Sequence, residues 1–84
     1  MKPLNWEIIL SNIREAREQL EEIEREALSE TPPEEVELRL GMNHAYHHLN
    51  FAWNVRHEST ERYASLTQED FERWGQYPPE IELY

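Results

Sequence analysis

Cysteine is absent from this 84-residue chain, and glycine occurs only twice. The first absence excludes disulfide staples and thiolate metal sites, and it fits a reducing compartment. The second leaves no glycine-rich loop to cradle a phosphate, since neither Gly41 nor Gly75 sits in such a motif. Long apolar runs are missing too. No stretch reaches 18 apolar residues, so no membrane-spanning segment is expected. The opening "MKPLNWEIIL" has one lysine and a three-residue aliphatic run, without the apolar region or small-residue cleavage site of a signal peptide. A cytoplasmic protein is expected. Positive charge is scarce: eight Lys and Arg face eighteen Asp and Glu, for a formal charge of −10. Such a chain repels nucleic acid and anionic membranes, so neither is expected as a partner. Ser11, Ser29, Ser59 and Ser65 lie outside any nucleophile-elbow context. Carboxylates are so common that no pair of them points to acid–base chemistry. The expectation is a protein that is not an enzyme.

What is present is the signal of one helical domain, residues 1–84. A chain of this length buries only roughly 60–65% of the surface that its unfolded form exposes. Stability then needs well-packed helices, oligomerisation or a metal. Trp6, Ile9, Ile13, Ala16, Leu20, Ile23 and Ala27 recur at alternating steps of three and four. That is a heptad seam, which predicts a first helix over about 5–28 lying lengthwise on another. Asn5 is its expected N-cap, and Leu4 and Ile9 have the spacing of a hydrophobic staple. In "SETPPEE" the prolines cannot occupy a helix interior. They suit a helix start, with Thr31 as N-cap, Pro32 first and Glu34 closing a capping box. So short a link predicts an antiparallel hairpin.

The second helix is expected over about 32–66, with Gly41 marking either a kink or the close approach of another backbone. "LTQEDFERWG" predicts a third helix over about 68–74, capped by Thr67 with Asp70 and ended by Gly75. The tail 76–84, "QYPPEIELY", is expected to be extended by its prolines. Trp6, Trp53, Trp74 and the tyrosines are read as core, and the tail as folding back over the hairpin.

One segment stands apart. "NHAYHHLNFAWN", Asn43 to Asn54, has no charged residue, yet it holds three of the four histidines. At 100° per residue it carries three stripes. Met42, Tyr46, Leu49 and Trp53, joined by Ala45 and Ala52, are expected to meet the first helix. Ala16, Ala45 and Ala52 are small enough to let the axes approach closely. Asn43, His47, Asn50, Asn54, His57 and Glu61 form a polar stripe suited to interhelical hydrogen bonds. His44, His48, Phe51 and Val55 lie on the far side. Charge is absent because burying an unpaired charge is costly, so this helix is covered on more than one side. The third helix, the tail and a second copy of the chain are the expected covers.

The expected fold class is all-α: an antiparallel two-helix hairpin, a short third helix and an extended tail, assembled as a dimeric helical bundle. The expected role is a small acidic interaction protein. It acts as a homodimer or docks a protein partner through Asn43, His47, Asn50, Phe51, Asn54, Val55 and His57. The alternative from another class is a divalent-metal protein, catalytic or not. There His44 and His48, at i and i+4, would share a zinc-like ion.

Overall fold

The structure is a computed structural model that describes residues 2–81. Four helices follow in order: α1 (Trp6–Ala27), α2 (Glu35–Asn54), α3 (Thr60–Ala64) and α4 (Gln68–Trp74). The described residues include no strand, and among them no helix is long and apolar enough to cross a membrane. α1 and α2 pack lengthwise. Ile8 clusters with Phe51 and Val55, Asn12 bonds His48, and Gln19 and Ile23 stand over Gly41. Residue numbers rise on α1 as they fall on α2, so the pair is antiparallel.

The seam between them is the expected one only in part: Ile9, Ala16, Ile23, Ala45 and Ala52 are in it, and the larger residues expected beside them are not. On α1 it is Ile8, Ile9, Asn12 and Ala16, continued by the half-buried Gln19 and Ile23. On α2 it is Gly41, Ala45, His48, Ala52 and Val55, all buried or half-buried. Steps of four and three place these on one helix face. Trp6, Ile13 and Leu20 are instead exposed, as are Tyr46, Leu49 and Trp53. The physical reason is size. Ala45, Ala52 and Ala16 let the backbones close in, whereas the large side chains would hold them apart. A Cβ on Gly41 would stand only 3.1 Å from Ile23 Cδ1. Gly41 therefore marks where the Ile23 and Gln19 side chains of α1 close on α2, not the approach of another backbone, and α2 runs through it without interruption.

The ends of α2 also differ from expectation. It begins at Glu35, with Glu34 as N-cap and Glu37 completing the capping box. Thr31 and Pro32 lie outside it, in a connection over residues 28–34. Pro32 itself precedes a proline, and that steric restriction holds it out of the helical region. At the other end α2 stops at Asn54 rather than running to residue 66. Asn5 fixes the break. Its backbone N–H donates to the Arg56 carbonyl (2.7 Å), and its Nδ2 donates to the Glu58 carbonyl (2.8 Å) and Thr60 Oγ1 (3.2 Å). Asn5 thus spends its side chain on the distant turn and makes no N-cap bond to α1. After the break Ser59 caps α3 by accepting from the Arg62 N–H.

α3 and α4 fold over one side of the hairpin. The core there is Ile8, Phe51, Val55 and Trp74, with Tyr63 and Leu66 packed against it. Phe51 meets Phe71 and Trp74 edge-on, at 5.7 and 6.4 Å between ring centres. Tyr63 stacks on Trp74. Past α4, the residues up to Ile81 turn back along α2. Pro78 is buried, and Trp53 Nε1 donates to Glu80 Oε1 at 2.9 Å. Leu83 and Tyr84, also expected as covers, lie outside the described residues. The molecule measures 49 × 27 × 26 Å with a radius of gyration of 14.7 Å. A compact chain of this length would have about 12 Å. The closed end of the hairpin accounts for the difference, with Leu28, Val36 and Leu40 all exposed there.

Candidate functional site

The residues expected to face a partner are mostly engaged within the chain. Phe51 is 4% exposed and Val55 0%. Both belong to the monomer's own core, under α3 and α4, which corrects their assignment to an interface. Asn50 and Asn54 serve the end of α4. The last carbonyls of a helix have no partner inside it. Asn50 Nδ2 donates to the Gly75 carbonyl at 2.8 Å. Asn54 Nδ2 donates to the carbonyls of Trp74 (2.8 Å) and Gln76 (2.9 Å). These asparagines therefore cap α4 from a neighbouring helix. His57 Nδ1 lies 3.2 Å from the Pro3 carbonyl, which ties the N-terminal segment to the turn after α2. Asn43 is exposed, at the mouth of a cleft of about 360 Å³ beside His44 and His47.

The opposite end of α4 is fixed by Asp70. It completes a capping box with Thr67 and pairs with Arg62 (2.6 Å) and Arg73 (3.0 Å). The backbone N–H of Thr67, followed by Arg62, holds its carboxyl below the usual range. α4 is thus pinned at both ends by polar groups.

The histidines divide in role. His48 Nδ1 donates to Asn12 Oδ1 at 3.0 Å, while Asn12 Nδ2 donates to the Ile8 carbonyl and the Tyr63 hydroxyl. This network places the proton on Nδ1 of neutral His48. His47 lies between Phe51 and Phe71, at 4.8 and 4.6 Å between ring centres. Its Nε2 is buried without a hydrogen-bond partner. Burial, with help from His44, lowers the pKa of His47. Burial also leads for His48, with His44 lowering further and Glu15 opposing. Gly75 leaves the room that His47 needs, because a Cβ there would stand 2.8 Å from Nε2.

His44 and His48 have rings 5.0 Å apart. A zinc site takes four protein donors, or three and a water. Among the described residues no three His, Asp or Glu side chains come together to hold an ion. With His48 Nδ1 engaged by Asn12, Nε2 is the ring nitrogen that His48 could offer an ion.

The other side of the hairpin is different. Here the register set by Asn12 with His48 and by Gln19 and Ile23 with Gly41 puts Ile13 about level with Leu49 and Leu20 about level with Met42, with Trp6 beside the turn after α2. Helix geometry puts both stripes about 100° round from the seam, on the same side of the pair. Tyr46 is 57% exposed and Leu49 46%. Beside them Tyr46, Leu49, Asn50, Trp53, Tyr77 and Ile81 line a cleft of about 640 Å³. Arg56 lies over the Trp53 ring at 3.9 Å. Reading these residues as the intramolecular seam concealed the face. The signal available was breadth: on each helix the apolar arc is too wide for one neighbour. Comparison with known proteins gives no match among family models, curated proteins or solved structures.

Proposed function

We propose that this protein is a non-enzymatic helical association module that binds another protein through the open face of its hairpin. The alignment of exposed large apolar residues carries this reading. Trp6, Ile13, Leu20, Tyr46, Leu49 and Trp53 are each more than a third exposed and share one side of the hairpin. Much of the exposed apolar side-chain surface is aligned on one side, and monomers rarely show contiguous apolar patches above a few hundred Å². Without cysteine the chain suits the reducing cytoplasm, where we place this role.

A photo-crosslinking residue at Leu49, compared with one at Glu18 away from the face, tests the reading in cells. Protein adducts are expected from position 49 and not from 18. Adducts from 18 alone, or from neither, overturn it. The adduct should persist at high salt, because apolar docking is not screened. Loss with salt would point to partners attracted by the acidic charge instead.

A further inference from the structure

We infer that the occupant of the open face is a second copy of this chain, so that two hairpins close a four-helix core. This rests on the reading of that face as a docking surface. Spacing gives the first argument. Trp6, Ile13 and Leu20 are seven residues apart, and Met42, Tyr46, Leu49 and Trp53 follow steps of four, three and four. Heptad-spaced ridges on two antiparallel helices receive other helices lying along them, as in four-helix bundles. A helix pair of matching length and spacing is what the chain itself supplies. A self-complementary patch of this kind is how two-fold dimers form.

Charge gives the second argument. Two chains of −10 each repel unless their contact avoids the charges. The stripes from Trp6 to Ile13 and from Met42 to Trp53 are made of uncharged side chains. Glu15, Glu18 and Glu22 lie on the opposite edge of α1, by the 100° step. A basic partner would be drawn to that edge, whereas the open face is apolar with both signs of charge at its margin (Arg17, Glu21, Glu24 and Arg56) and suits its own copy.

Area gives the third. A standard interface takes ~800 Å² from each copy, and the six large apolar residues of this face, each more than a third exposed, are what each copy offers to it. Pairing on this side leaves α3 and α4 undisturbed on the other, and it also meets Tyr77 and Ile81, which line the same cleft as Tyr46, Leu49 and Trp53.

Sedimentation velocity of the full chain over a concentration series tests the inference. The expected species has twice the 10.2 kDa monomer mass. Leu49→Glu should weaken the dimer by roughly 100-fold or more, because the carboxylate must lose water at an apolar interface, and Ile13→Glu, one turn from Arg17, should weaken it less. Far-ultraviolet circular dichroism should stay helical, since both positions are open to solvent in the monomer. Tyr46→Glu, at the most exposed of the α2 positions, gives the same reading if either variant fails to fold. A wild-type monomer at 100 µM overturns the dimer. The docking reading then survives only if position 49 still crosslinks to a different protein. A dimer unchanged by all three substitutions overturns both, because association would use another surface.

Discussion

One pair of helices presents two sides that are finished differently. On the closed side polar groups decide the packing. Asn50 and Asn54 fix the C-terminal end of α4, Asp70 fixes its start, and the Asn12–His48 bond ties α1 to α2. Each of these bonds demands one geometry, and an unmade one would leave a partly buried group unsatisfied. On the open side Trp6, Ile13, Leu20, Tyr46, Leu49 and Trp53 stand exposed. Apolar contact is non-directional. The closed side therefore specifies the monomer, while the open side asks only for a long apolar surface.

The largest contrast should come from truncating one residue on each side. Phe51→Ala is expected to cost about 3–5 kcal/mol, as for a large aromatic removed from a packed core. Leu49→Ala should cost under about 1 kcal/mol in chains diluted to monomers, because its side chain is already half in water. Chemical denaturation at low protein concentration measures both. Equal losses would mean that the two sides are not distinct in the monomer.

Gly75→Ala tests how tightly the closed side is fitted. Gly75 has φ −83°, which any residue adopts, so its role is space and not backbone freedom. The added methyl would meet His47 Nε2 at 2.8 Å and the Phe71 carbonyl at 3.0 Å. Relief requires moving a ring held between two phenylalanines. A loss of about 1–3 kcal/mol is expected, with faster hydrogen exchange in α4. Unchanged stability would show that the His47 pocket yields easily.

This division between the sides explains which features the sequence disclosed. The all-helical class and the long packed helix pair were legible, since apolar periodicity is local and strong. So was the capping box of Thr67 and Asp70. The phase of the seam was not. Large apolar residues outweigh Asn12, Gly41 and His48 in any reading that ranks by hydrophobicity, yet the close contact belongs to the small and hydrogen-bonded ones. The break after Asn54 was hidden too, because Asn5 stabilises it from some fifty positions away. Phe51 and Val55 were read as partner-facing because a second copy was expected to share their cover with the third helix and the tail, whereas the chain's own helices bury them alone. Asn50 and Asn54 were rightly read as hydrogen-bonding helices together, but the carbonyls they satisfy are at the end of α4.

Acid should weaken the closed side. His47 and His48 have folded pKa values below the ordinary 6.5. As pH falls, the unfolded chain takes these protons first, so stability is full above about pH 6.5 and declines below it. Asp70 acts in a separate window, with its contribution lost only as pH falls below 3.8 towards its depressed folded value. His44 and Glu15 are the neighbours that bear on the histidines. The midpoint of denaturation should fall between pH 7 and pH 5.5, and His47→Gln should flatten that slope. A slope unchanged by this substitution would remove His47 as a source.

The smallest effect is expected in the seam that the two sides share. Gly41→Ala gains up to about 1 kcal/mol of helix propensity. Against that gain the new methyl would meet Ile23 Cδ1 at 3.1 Å and Gln19 Nε2 at 3.2 Å. Ile23 Cγ1 also stands at 3.2 Å, but both side chains are at half-buried positions and can rotate by the few tenths of an ångström required. The backbones need not separate. A net stabilisation of roughly 0.5 kcal/mol is therefore expected, read as a higher denaturation midpoint with the same slope. Destabilisation by more than ~1 kcal/mol would mean that Ile23 is locked in place. The closed end of the hairpin would then be as rigidly packed as the end under α3 and α4, and the contrast between the two sides would not extend along its length.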